Sequence, residues 1–269
     1  LFSLSAMHVS VFSSFLFLIL KKIKVGRIIS LIIVSLFLLL FSFISSFTPS
    51  MLRATIFFII SNLNKIFNLK IENLNILYIT FCILIFINPN YIFNLGFILS
   101  FIITFFILLF SKYYHIKNKL LNMLFISIIS LLSSFPIIIN MSYEINIIGF
   151  LNNLFFVPIV SYLIFPLSLI TFLVPVCSNI LIILIDIMEK ISFFSSDILN
   201  ITLIFPKLLL FEIIIYYVLL ILIICLKKHL IPILIFYILF LYNKNYFNNN
   251  TYIYFLDVGQ GDSCLIMSE

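Results

Sequence analysis

The 269 residues are 64% hydrophobic and only 9% charged, with a formal net charge of +6 at pH 7. Soluble chains are about 45–50% apolar and about 25% charged, and a folded chain of this size still needs an exterior that tolerates water, so a single soluble domain is excluded. Disorder is excluded as well, because disordered segments are poor in aliphatic and aromatic residues and this chain has 34 Phe among 17% aromatics.

Lipid is the remaining solvent. The 15 Lys and Arg sit almost wholly in short gaps between apolar runs, a pattern that the positive-inside rule produces without any nucleic-acid partner. Cys82, Cys177, Cys225 and Cys264 are scattered without ligand-like spacing and read as small hydrophobes rather than a disulfide scaffold or a zinc site. No charged n-region with a cleavage site opens the chain and Leu1 is not an initiator methionine, so further sequence is expected beyond both ends.

A span needs about 20 apolar residues, with a range near 17–25. In chain order, Leu4 to Leu20 ends at the basic cluster Lys21 to Arg27, and Ile28 to Phe47 ends at the breaker Thr48-Pro49. Met51 to Ile60 and Leu74 to Ile87 are short for full crossings, whereas Leu95 to Phe110 and Leu120 to Ile139 are closer to full length. Ile147 to Val174 is interrupted by Pro158 and Pro166 and predicts a broken or kinked element. Ile180 to Met188, Phe211 to Leu226 and Leu230 to Tyr242 complete the set, giving an all-α polytopic membrane protein of about 8–10 membrane helices, some short or broken.

If every run crosses, Lys21 to Arg27, Lys65 with Lys70, Lys112 to Lys119 and Lys227-Lys228 all fall on one side, which the rule makes cytoplasmic. Glu144 and the stretch from Ser192 to Lys207 then lie outside, where Ser192, Ser195, Ser196 and Asn200 opposite Phe194, Ile198 and Ile201 predict an interfacial amphipathic helix. Residues 1–242 thus form the membrane region and 243–250 a polar linker. From residue 251 the alternation of TYIYFLDV suits a strand and opens a soluble domain of which 251–269 hold only the first hairpin.

Several polar residues interrupt the apolar runs, and each has two readings. Gly96, Ser100 and Thr104, and again Ser127, Ser130 and Ser134, form small-residue stripes that serve close helix packing or line a conduit. A lipid-facing Arg53 at the membrane centre would cost at least about 2.5–3.5 kcal/mol, so it faces protein, water or phosphate, or else snorkels from a helix end. His8 reads as a packed, hydrogen-bonded group without a metal constellation, and Asp186 with Glu189 as a helix end at the interface. No glycine precedes a lysine in the manner of a phosphate-cradling loop, so nucleotide hydrolysis is not expected of this chain.

Five ordered signatures resemble the ComEC-type competence DNA-uptake channel family of bacterial inner membranes. They are LSAMHVS with Ser5 and His8, PSMLRA with Arg53, and NPNYIFNLGFILSF with Asn88, Pro89, Gly96, Phe97 and Ser100. The fourth joins Phe135-Pro136-Ile137 to GFLNNLFFVP with Asn152, Asn153 and Pro158, and the fifth is FLDVGQGDS with Asp257, Gly259, Gln260, Gly261 and Asp262. Ala6, Asn94 and Ile98 stand where the family usually has Gly, Asp and Gln.

The resemblance implies that FLDVGQGDS opens a truncated metallo-β-lactamase-like domain, with Gly259 and Gly261 permitting a tight turn and Asp257 as a supporting residue. Asp257 and Asp262 alone are too few for a metal site. A metal ion, zinc or manganese, and any hydrolase activity are implied only for a downstream part, and no catalytic residue is expected in these 269 residues. The function implied is an inner-membrane channel for single-stranded DNA during natural transformation, with membrane lipid, single-stranded DNA, a DNA receptor and a cytoplasmic motor as partners. A membrane anchor for an external hydrolase or nuclease, and a small-solute transporter, are the alternatives.

Overall fold

The apolar runs fold as helices because, without water, each backbone N–H and C=O must find its partner within the segment. The structure is a computed structural model describing residues 6–146, 152, 155–156, 158–198, 202–226, 230–244, 252–257 and 262–267. Its helices are α1 (Ala6–Lys22), α2 (Arg27–Ile44), α3 (Pro49–Ile66), α4 (Asn73–Ile87), α5 (Leu95–Tyr113), α6 (Lys119–Ser142), α7 (Phe165–Leu173), α8 (Ser178–Ile198), α9 (Leu210–Leu226) and α10 (Ile231–Tyr242). Two short strands, β1 (Glu144–Asn146) and β2 (Thr202–Ile204), pair with each other, and β3 (Tyr252–Asp257) pairs with β4 (Asp262–Met267).

Two compact units result, one of residues 1–137 with 146–202 and one of residues 138–145 with 203–269. In the first, α3 is the hub and packs on α1, α2, α4 and α5. Its first turns bury Met51, Leu52, Arg53, Ala54 and Thr55. Val9, Phe12, Val34, Leu38, Met51 and Ala54 form one core cluster, and Leu52, Leu77, Leu84, Phe97 and Phe101 a second. Across the α2–α3 contact the Ser42 and Thr55 hydroxyls lie 3.2 Å apart in a buried hydrogen bond. The tight turn before α3 uses left-handed Ser46 and Phe47, with φ of 55° and 51°, and Pro49 then supplies a preset first helical turn.

The α4–α5 corner is built by two asparagines. Asn88 closes a 3-10 turn over Pro89–Phe93 by accepting from the Asn90 amide at 3.0 Å, and Asn94 caps α5 by accepting from the Phe97 amide at 3.1 Å. Further on, the interruption expected from Pro158 and Pro166 is found as a π-helical segment, Val160–Ile164, leading into α7 with Pro166 in its first turn. Phe165 packs edge-on against Phe12 of α1, their ring centres 6.2 Å apart.

The second unit holds the end of α6, α9, α10 and the β3–β4 hairpin. Asn140 clasps the irregular approach to α9 from both sides, its Oδ1 accepting from the Leu208 amide at 2.7 Å and its Nδ2 donating to the Leu208 carbonyl at 3.1 Å. Glu212, 3% exposed, pairs with Lys244 at 2.7 Å and also accepts from the Leu209 amide.

Three findings adjust the sequence expectations. Among the described residues, three helices are long and apolar enough to cross a membrane: Arg27–Ile44, Leu95–Tyr113 and Leu121–Ser142. Asn73–Ile87, Leu210–Leu226 and Ile231–Tyr242 are apolar but shorter, and at 1.5 Å per residue they reach about 18–26 Å, under the ~30 Å hydrocarbon thickness. The Met51 run is longer than its apolar core suggested, because α3 extends over 18 residues through the polar Asn62, Asn64 and Lys65. The stretch from Ser192 onward is not a separate interfacial helix; it continues α8 from Ser178 to Ile198, and residues 202–204 form β2 instead. Nothing breaks the helix between Met188 and Ser192, so the apolar run and its polar extension fold as one.

Candidate functional site

A groove of about 370 Å³ opens between α1, α3 and α5 of the first unit. The α1 wall carries Val9, Ser10, Ser13, Ser14 and Phe17, which the 3.6-residue period brings to one face. From α3 come Arg53, Phe57 and Ser61 at four-residue spacing, with Phe58, Asn62 and Lys65 beside them, and α5 adds Thr104 and Leu108.

Arg53 is the chemically distinctive member. It is 5% exposed, its Nε is buried without a hydrogen-bond partner, and among the described residues it forms no ion pair. A compensating contact comes from Phe101, whose ring centre lies 5.9 Å from the guanidinium carbon. A cation–π contact of this kind contributes about 0.5–2 kcal/mol, less than the several kcal/mol that enclosing an unpaired ion costs. The site therefore favours an anion. Arg53 lies at the start of α3, where it lines the groove and sits against Phe101 of α5.

Most of the groove's hydroxyls are committed to their own helices. Ser13 and Ser14 donate to the Ser10 carbonyl at 3.0 and 2.7 Å, and Thr104 donates to the Ser100 carbonyl at 2.7 Å. Asn62 gives one N–H to the Phe58 carbonyl at 2.8 Å. Ser61 makes no hydrogen bond among the described residues, and Lys65 is exposed at the far end of α3. The donors available to an incoming group thus include Arg53, Ser61, Lys65 and the second N–H of Asn62.

The structure distributes the other sequence candidates. His8 belongs to α1, whereas Ser5 lies outside the described residues. Asn88 and Pro89 build the α4–α5 corner, and Gly96 sits against the Asn94 cap, where an added Cβ would meet Oδ1 at 3.2 Å. Phe97, 1% exposed, is core, and Ser100 donates to the Phe97 carbonyl at 2.9 Å. In the Gly96 stripe only Thr104 lines the groove, and its hydroxyl is bonded to the Ser100 carbonyl of its own helix. Of the Ser127, Ser130 and Ser134 stripe, Ser134 is buried and donates to the Ser130 carbonyl at 2.9 Å, which serves packing within α6.

Asn152 and Pro158 are half-buried; Asn153 lies outside the described residues. In the hairpin, Asp257 and Asp262 are direct register partners, while Gly259, Gln260 and Gly261 between them lie outside the described residues. Among the described residues no three His, Cys, Asp or Glu converge as a metal site would require. Ser13, Ser61, Asn62 and Lys65 belong to none of the sequence motifs. Their signal is the helical spacing of Ser10, Ser13 and Ser14 and of Ser61, Asn62 and Lys65, which becomes legible only once α3 is known to extend to Ile66.

These features describe a mostly helical protein with three helices long and apolar enough to cross a membrane, in which a buried arginine has no ion-pair partner among the described residues. The sequence model of the Competence protein family matches residues 1–230, and the chain belongs to that family. It is similar to ComE operon protein 3 of Bacillus subtilis (strain 168), 26% identical over 167 residues, which make up 62% of this chain and 22% of that protein. The chain thus spans under a quarter of the length of that curated relative. No solved structure matches.

Proposed function

We propose that this chain is part of an inner-membrane channel that passes single-stranded DNA into the cytoplasm during natural transformation. Membership of the Competence protein family supports the process, and the observation that carries the transport reading is Arg53, buried, unpaired and lining a groove between three helices. A polyanion crossing an apolar bundle needs few charges: phosphates are met by isolated cations and polar groups, and bases tolerate aromatic surfaces. Lining by Phe17, Phe57 and Phe58 fits that requirement. The test is entry of labelled DNA into the cytoplasm of cells lacking the gene; entry falls to background if the reading holds, and undiminished entry overturns it.

The β3–β4 hairpin, with Asp257 opposite Asp262, favours a second reading in which the helices anchor an extracytoplasmic hydrolase of the metallo-β-lactamase type. The two readings separate on Arg53. A conduit loses DNA entry when Arg53 is replaced and residues 252–267 are left intact, whereas an anchor retains its downstream activity.

A further inference from the structure

We infer that the groove between α1, α3 and α5 tracks the backbone of a single strand, holding one phosphodiester at Arg53 and another at Lys65. This rests on the channel reading above. Arg53 and Lys65 both line the groove and lie twelve residues apart on one helix, which at 1.5 Å per residue is about 18 Å. No single phosphate reaches both. A strand rising about 3.4 Å per nucleotide bridges them in roughly five nucleotides, so the ligand that satisfies both cations is a polyanion rather than a free small anion.

The floor between the two cations says how such a strand is read. Phe57 and Phe58 of α3 and Phe17 of α1 line the groove, the ring centres of Phe17 and Phe58 lying 5.8 Å apart, and offer apolar surface to any base. Ser13, Ser14 and Thr104 spend their protons on carbonyls of their own helices, which leaves the one side-chain amide of Asn62, already bonded to the Phe58 carbonyl, as too little to specify a run of bases. Ser61, without a partner among the described residues, adds a donor between the cations. The contacts are therefore charge at the ends and non-specific surface between, which makes binding independent of base sequence and steeply dependent on salt. Arg53 has a further role at the buried end: with its guanidinium against Phe101 and no carboxylate partner among the described residues, it excludes cations and admits phosphate.

The experiment uses the full-length protein in phosphatidylcholine nanodiscs and fluorescently labelled oligothymidylates of increasing length. Affinity should rise with length up to about five or six nucleotides and then flatten. Lys65→Gln, an exposed change that leaves packing intact, should abolish that rise and lower the salt slope by about 0.7. Arg53→Met should weaken every length about tenfold or more, with Arg53→Lys recovering part of the loss. Lys65→Gln and Arg53→Met binding every length as the parent does would overturn the site. So would variants that keep oligonucleotide affinity but lose retention of phosphatidylglycerol in native mass spectrometry, because the groove would then hold a lipid headgroup. Uptake lost on gene deletion and on Arg53→Met but normal with Lys65→Gln overturns this inference and leaves the channel reading standing, whereas normal uptake after deletion overturns both.

Discussion

Asn140 and Glu212 do for the second unit what a helix does elsewhere, satisfying backbone groups where the chain is irregular. Residues 205–209 lead into α9 without regular structure, and the Leu208 amide and carbonyl are both taken by Asn140. Asn140→Ala removes both bonds at once and should cost about 1–3 kcal/mol, the penalty for leaving part-buried groups unpaired, read as a lower midpoint in thermal unfolding of the detergent-solubilised protein. Glu212 is more deeply placed: its side chain is 4% exposed and that of Lys244 24%. Glu212→Gln strands the Lys244 ammonium and weakens the bond from the Leu209 amide, for an expected loss of about 2–3 kcal/mol. Because the Lys244 side chain is only 24% exposed, Lys244→Met in the Glu212→Gln background should restore part of that stability by removing the unpaired ammonium, and a full double-mutant cycle measures the coupling.

At the scale of elements, the helix termini explain motifs that looked functional. The NPNYIFNLGF segment folds as a corner with two asparagine caps, and Asn94→Ala should cost about 1 kcal/mol by exposing the first-turn amides of α5. That loss is measured by the same unfolding assay and should be additive with Asn140→Ala, since the two lie in different units. The membrane helices themselves are mostly outward-facing. In the α2 window 28% of residues are buried, and Leu36, at its midpoint, is 57% exposed. Leu36→Lys should therefore oppose insertion by about 2.5–3.5 kcal/mol in a translocon insertion assay. Leu38, fully buried in the same helix, should show a packing defect of about 2–5 kcal/mol when cut to Ala.

At the scale of the whole molecule, we propose a side of the membrane for the β3–β4 hairpin from the crossing count. If Lys227-Lys228 lies inside and Ile231–Tyr242 crosses, the hairpin is extracytoplasmic, and Tyr242 at the helix end suits an interfacial anchor. That helix has 12 residues, about 18 Å, so it crosses only where the bilayer thins or neighbouring helices shield its ends. A re-entrant path returning the linker inside is the rival. A cysteine at Asn249 should react with a membrane-impermeant thiol reagent in intact cells. Labelling that appears only after permeabilisation places the hairpin in the cytoplasm.

The sequence by itself determined the solvent, the helical class and most helix positions, because spans in lipid follow directly from runs of apolar residues and from the need to close backbone hydrogen bonds locally. It also determined the hairpin, whose alternation in 252–257 matches the register found. It could not determine that α3 is the hub, that α8 runs unbroken to Ile198, or that Arg53 meets Phe101 and shares a groove with the α1 serines. Those depend on which faces pack, and in chains apolar on every side the hydrophobic pattern no longer marks an inner face. Asn94 and Thr104 illustrate the division: both stand in one suggestive run, yet the first caps α5 through a local bond from the Phe97 amide, whereas only packing turned the second towards the groove.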